Sequence, residues 1–83
     1  MNVYHKAYFS ADNTVIHQIT VSKLIPGKPA EFVDSFQNAR KDKVLKRYKK
    51  MLTPAQLDTL KKMMNANADC LIDENGKPSA ADW

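Results

Sequence analysis

The alternation of apolar and polar residues near the start of the chain predicts two β-strands. The segment 3–9 is rich in aromatic and branched residues, and the segment 14–25 alternates cleanly between apolar and polar positions. The apolar positions of the second segment are Val15, Ile19, Val21 and Ile25. Turn-forming residues occupy positions 10–13 between the two segments. The pattern therefore predicts a β-hairpin over residues 2–25.

The length of the turn decides which side chains of the hairpin share a face. With four residues in the loop, Tyr8 opposes Val15 and Tyr4 opposes Ile19, which places both tyrosines on the apolar face. The same register sends the two histidines of the chain, one on each strand, to opposite sides, so a shared metal ion is not expected. A loop one residue shorter or longer would break these apolar pairs.

Two apolar stripes at helical spacing follow the hairpin, and they predict helix over residues 29–52. The first stripe consists of Phe32, Phe36 and Ala39. The second stripe consists of Val44, Leu45, Tyr48, Met51 and Leu52. At about 100° per residue the two stripes point more than roughly 90° apart. We therefore expect a kink or break between Asn38 and Asp42, with Asp42 capping the second piece. A continuous helix covered on two sides is the alternative.

The sequence Thr53-Pro54-Ala55-Gln56 predicts the start of a further helix through a capping box and a proline at the first helical position. One face of this helix is apolar, through Leu57, Leu60, Met64, Ala68 and Leu71. We expect it to end near Ile72, before a C-terminal tail over residues 73–83. A short returning strand over residues 77–83 is the alternative for the end of that tail.

The predicted elements make one small domain over residues 1–83. Its expected class is α+β, with an N-terminal antiparallel β-hairpin packed against two or three α-helices. Cys70 is the single cysteine, which excludes an intramolecular disulfide and fits a reducing compartment. The chain has neither the apolar run of a signal peptide nor that of a membrane span, so we expect a cytoplasmic protein without a membrane partner. Small size also favours either a homodimer or docking on a partner as a form of assembly.

Positive charge is concentrated in the middle of the chain. Residues 28–52 carry a net charge of +5, compared with +1 for residues 1–27 and −2 for residues 53–83, within a total of +4. Seven of the eleven residues from Arg40 to Lys50 are basic. A charge distribution of this shape steers an anionic partner toward one face of a protein.

On a helical wheel, the basic side chains of this run cover one half of the helix and the apolar stripe occupies a separate arc. The candidate contacts are Arg40, Lys43, Lys46, Arg47, Lys49 and Lys50. Lysines attract phosphates through counterion release, and arginines grip them bidentately. Asp42 is the single acidic residue in the run, so helix-stabilising ion pairs do not explain its composition. A solvated helix face that keeps the protein in solution is the alternative.

Aromatic residues are the second kind of candidate contact. Tyr4 and Tyr8 would stack on unpaired bases if they were exposed, although core packing is their expected role. Trp83, at the last position, would dock on the domain or on a partner. We expect no catalytic residues, no metal and no cofactor, because no constellation for a reaction is present.

These observations predict a non-enzymatic binding protein. The first hypothesis is a nucleic-acid-binding or nucleic-acid-associated regulator that uses the basic helix. The alternative is a protein-binding adapter or inhibitor, of the compact kind encoded by phages and plasmids. Such a protein would dock its basic face on an acidic groove of its partner, which could itself be a nucleic-acid-binding groove.

Overall fold

The computed structural model describes residues 1–80 and has an α+β fold, with two helices on one face of a five-stranded antiparallel sheet. The strands are β1 (Asn2–Phe9), β2 (Val15–Lys23), β3 (Glu31–Asn38), β4 (Cys70–Ile72) and β5 (Pro78–Ala80). The helices are α1 (Lys41–Tyr48) and α2 (Pro54–Asn65). The strand order is β3-β2-β1-β4-β5. The predicted α+β class is confirmed, but the sheet is larger than the predicted hairpin.

The hairpin of β1 and β2 is present, but its predicted register is wrong by one residue. Tyr8 opposes Ile16 and Tyr4 opposes Thr20, because the loop contains five residues rather than four. The residue added to the loop is Thr14, and Asn13 before it has the left-handed conformation, with φ of 66°. Neighbouring side chains along a strand point to opposite faces of the sheet, so a register shift of one residue changes which side chains share a face. Both tyrosines therefore lie on the face away from the helices.

The prediction of helix for residues 31–38 is also wrong, because this segment pairs along β2 as the strand β3. A spacing of four residues brings side chains to one face in a helix and in a regular strand alike, so the predicted stripe did not distinguish the two. A β-bulge adds Val33 to β3, so that Phe36 opposes Ile19 while Phe32 opposes Ser22. Phe36 therefore packs against the core, whereas Phe32 is 66% exposed.

The core lies between the sheet and the two helices. Its fully buried apolar side chains include Val3, Ile19 and Val21 from the sheet and Val44, Tyr48, Leu60 and Met64 from the helices. The second predicted stripe is thus the buried face of α1. The predicted cap is wrong, however, because α1 begins after Arg40 and Asp42 lies in its first turn.

The start of α2 is confirmed and its predicted end is wrong. The Thr53 side chain accepts from the backbone N–H of Gln56, and the Gln56 side chain accepts from the backbone N–H of Thr53, each at 3.1 Å. The helix ends at Asn65, and Asn67 then turns the chain with a φ of 51°. Residues 70–72 form β4 along β1, and residues 78–80 form the returning strand.

Candidate binding surface

Four lysines of α1 and the turn after it form one exposed surface, which we call the lysine surface. Its members are Lys43, Lys46, Lys49 and Lys50. The turn continues the helical path, since the backbone N–H of Leu52 donates to the carbonyl oxygen of Tyr48 at 3.0 Å. Within residues 1–80, none of these four ammonium groups forms an ion pair. Along the helix axis they span about 10 Å.

Arg47 was expected among the binding residues, but it connects α1 to β3. Its guanidinium donates two hydrogen bonds to the carboxylate of Asp34, at 3.1 and 2.9 Å. It also lies over the ring of Phe36, 4.7 Å from the centroid. The hydrogen bonds from Arg47 lower the pKa of Asp34, which keeps that carboxylate ionised. These contacts give Arg47 a role in packing.

Arg40 keeps its predicted place beside the lysine surface, but it has an internal partner. Its guanidinium donates to both carboxylate oxygens of Asp42, at 3.2 and 3.0 Å. Both side chains are about two-thirds exposed. An exposed pair of this kind contributes little to stability, so an anionic ligand can replace Asp42 at small cost.

An open groove lies between α1 and α2, directly beside the lysine surface. Its volume is about 680 Å³. The lining residues are Leu45, Lys46, Lys49, Pro54, Leu57, Asp58 and Lys61. No pattern along the chain predicts this α1–α2 groove, because it depends on how two helices are placed next to each other. Leu57 and Lys61, which are four residues apart, lie on the same side of α2.

The two tyrosines expected as aromatic contacts do not join the lysine surface. Tyr4 and Tyr8 lie on the sheet face opposite the helices, as the hairpin register requires. The hydroxyl of Tyr8 donates to the side-chain carbonyl of Gln37 at 2.6 Å. Trp83 lies outside the described residues. The candidate residues are therefore divided between the two faces of the sheet.

The two histidines, expected on opposite sides, form a buried pair on the helix face of the sheet. His5 and His17 are 0% and 1% exposed, and their rings stack with centroids 5.2 Å apart. Nδ1 of His5 donates to the carbonyl oxygen of Ala68 at 2.6 Å, which leaves Nε2 of His5 to accept from Nδ1 of His17 at 3.0 Å. Burial lowers the pKa of both imidazoles. Both rings are therefore neutral near pH 7.

Cys70 is buried beside this pair, opposite His5 across the β1–β4 ladder. Burial raises the pKa of its thiol to about 11, so the thiol is protonated and unreactive at neutral pH. Within residues 1–80, no group of three or more His, Cys, Asp and Glu side chains is placed to hold a metal ion. Neither observation points to a catalytic group at the binding surface.

Among the described residues, neither helix has the length and apolar character needed to cross a membrane. Searches against protein-family models, curated proteins and solved structures found no match.

Proposed function

We propose that this protein is a non-enzymatic, cytoplasmic binding protein that holds the backbone of a nucleic acid on its lysine surface. The observation that supports the proposal is electrostatic. Four lysines on one side of α1 make no ion pair within residues 1–80, although Arg40, Arg47 and Lys62 nearby are all paired with carboxylates. Unpaired cations at this density attract a polyanion.

The geometry of the lysine surface suits a phosphate backbone. One strand of duplex DNA carries a phosphate about every 3.4 Å along the axis, so four lysines spread over about 10 Å match roughly four successive phosphates of one strand. Lysines contact phosphates as point charges, and a surface made of lysines alone suits the phosphate backbone better than the base edges, which side chains with fixed bidentate geometry read best. The proposed binding is therefore independent of sequence, as in a nucleic-acid-associated regulator.

The proposal is tested by measuring the affinity for a fluorescent DNA duplex and for a single strand of the same sequence. In one variant the four lysines of the lysine surface become Gln. In the control variant an equal number of lysines elsewhere become Gln, namely Lys6, Lys23, Lys28 and Lys77. Both variants lose the same net charge. We expect the first to lose at least ten-fold in affinity and the control to keep most of it. Equal losses in both variants, or no binding by the wild type, would refute the proposal.

An acidic protein surface is the second candidate partner, and the α1–α2 groove favours it. Leu45 and Leu57 bring apolar surface to the groove, which a phosphate backbone has no means to cover. An adapter or inhibitor, of the kind encoded by phages and plasmids, would use such a surface to occupy an acidic site of its partner. Affinity purification with and without nuclease separates the candidates, because a protein partner stays bound after nuclease treatment.

A further inference from the structure

The α1–α2 groove has the chemistry of a peptide-binding site. We propose that it binds an amphipathic helix of a partner protein whose apolar stripe is flanked by Asp and Glu. This inference rests on the second candidate function, the protein partner, and it does not require nucleic-acid binding.

The apolar floor of the groove determines the apolar side of the ligand. Leu45 and Leu57 each pack partly against the core and line the groove with their remaining surface. Pro54 adds a third apolar group at the start of α2. The volume of about 680 Å³ falls within the range of ligand-binding clefts and accommodates several large side chains. A ligand that buries apolar side chains here removes the exposed parts of both leucines from water.

The rim of the groove determines the charge of the ligand. Lys46 of α1, Lys49 in the turn after it and Lys61 of α2 line it, and none of them has an ion pair within residues 1–80. Asp58 is the single acidic lining residue, and its carboxylate is 3.3 Å from Nζ of Lys62. The rim is therefore positive on both sides, and acidic residues on either side of an apolar stripe complement it.

The backbone around the groove favours a helical ligand over an extended one. Extended peptides gain affinity by adding a strand to an unpaired sheet edge, through backbone hydrogen bonds. Here the walls are two helices, whose interior backbone groups are already paired within each helix. A helix that lies between two others instead packs side chains into the groove. The lining residues of α2 run from Pro54 to Lys61, so the groove is about 11 Å long, which corresponds to two helical turns.

The experiment uses a synthetic peptide of about 14 residues, since shorter helices are marginal in water. The peptide carries Leu at alternating spacings of three and four residues and Glu on both sides of that stripe. A scrambled peptide of equal composition and charge, without the stripe, is the ligand control. Binding is measured by fluorescence anisotropy, and the site is mapped by amide chemical shifts. We expect the designed peptide to bind at least ten-fold more tightly than the scrambled one, with the largest shifts along Leu45–Lys49 and Pro54–Lys61. Equal affinity of the two peptides would overturn the inference.

Two matched charge reversals locate the site. Lys61→Glu changes the rim of the groove, whereas Lys28→Glu makes the same charge change in the loop before β3, outside both the groove and the lysine surface. We expect Lys61→Glu to weaken binding of the designed peptide at least ten-fold and Lys28→Glu to weaken it less than three-fold. Equal effects would show general attraction rather than a groove and would overturn the inference.

The wild-type protein, titrated with the designed peptide and with the DNA duplex, separates this inference from the nucleic-acid proposal. If the wild type binds DNA but not the designed peptide, the nucleic-acid proposal stands and the inference about the groove is overturned. A wild type that binds the peptide but not DNA would support the groove and refute the nucleic-acid proposal.

Discussion

The buried histidine pair makes the stability of the protein depend on pH between 5 and 8. His5 and His17 are almost fully buried, and burial lowers the pKa of both from the ordinary value of 6.5. The unfolded chain therefore binds more protons than the folded chain as the pH falls below about 6.5. The two buried, uncharged imidazoles therefore contribute their full stability above pH 6.5, and this contribution is lost as the pH falls. The nearby ammonium group of Lys41 acts in the same direction on His17.

The size of this effect follows from proton linkage. At pH 5, a histidine that binds a proton only in the unfolded state loses about 2 kcal/mol of stability relative to pH 8, because each pH unit below the unfolded pKa contributes about 1.36 kcal/mol. The pair can therefore lose up to about 4 kcal/mol when both rings remain neutral in the folded state. A small domain is stable by roughly 5–15 kcal/mol, so the loss is readily measured. The stacked arrangement favours this limit, since a charge on His5 would lower the pKa of His17 further and so disfavour a second charged ring.

Guanidinium unfolding at several pH values between 5 and 8 measures the loss directly. His17→Gln is the matched variant, because an amide N–H can still donate to Nε2 of His5 while the titrating ring is removed. We expect its loss of stability on acidification to be about half that of the wild type. Stability that stays constant from pH 8 to pH 5, or imidazole resonances that titrate at 6.5 or above in the folded protein, would refute this reasoning.

Three further substitutions test the packing around the helices. Gly76→Ala should destabilise the fold by about 2 kcal/mol or more, because Gly76 has φ of +80° and an added Cβ would lie 2.7 Å from the Ala55 carbonyl carbon and oxygen; unfolding at the wild-type denaturant midpoint would contradict this. Thr53→Ala should cost about 1 kcal/mol through loss of the N-cap, and an unchanged melting temperature would exclude that role. Arg47→Met should lower the melting temperature, because Asp34 loses its two hydrogen bonds from the guanidinium. The DNA affinity should fall only by the amount that the loss of one positive charge explains. A larger loss of DNA affinity with an unchanged melting temperature would show that Arg47 belongs to the binding surface.

Local signals in the sequence were sufficient for the elements that depend on local contacts. The capping box at Thr53 is such a local signal, and the structure contains it and buries Leu60 and Met64 of the predicted apolar face. Ala68 and Leu71 of that face lie beyond the end of α2. The apolar arc that predicted the buried face of α1 is equally local, and Val44 and Tyr48 are fully buried on it. Burial and the neighbouring Asp34 raise the pKa of Tyr48, so its hydroxyl stays neutral in the core.

Long-range pairing explains the elements that the sequence did not reveal. Phe32 and Phe36 are four residues apart, which fits a helix as well as a strand, and the pairing of β3 with β2 determines the outcome. The hairpin register depends on the backbone of a single residue, Asn13, whose left-handed conformation lengthens the loop. That one-residue shift also brings His5 and His17 together.

In the candidate site, too, some features could be predicted from the local sequence, whereas others depend on packing between distant elements. The helical wheel predicts a common side for the lysines from their spacing along one helix, and all four are exposed. It could not show that Arg47 is engaged by Asp34, which lies on another element thirteen residues away. It also could not show the α1–α2 groove, which exists because two separate helices pack side by side.

The dependence of DNA affinity on salt concentration tests the central claim most directly. If the four lysines of the lysine surface each neutralise a phosphate, the logarithm of the association constant should fall against the logarithm of salt concentration with a slope of about −3.6. The variant with all four changed to Gln should lose most of that slope, and the charge-matched control at positions 6, 23, 28 and 77 should keep it. A slope that is unchanged in the first variant, or reduced equally in both, would contradict the assignment of nucleic-acid binding to α1.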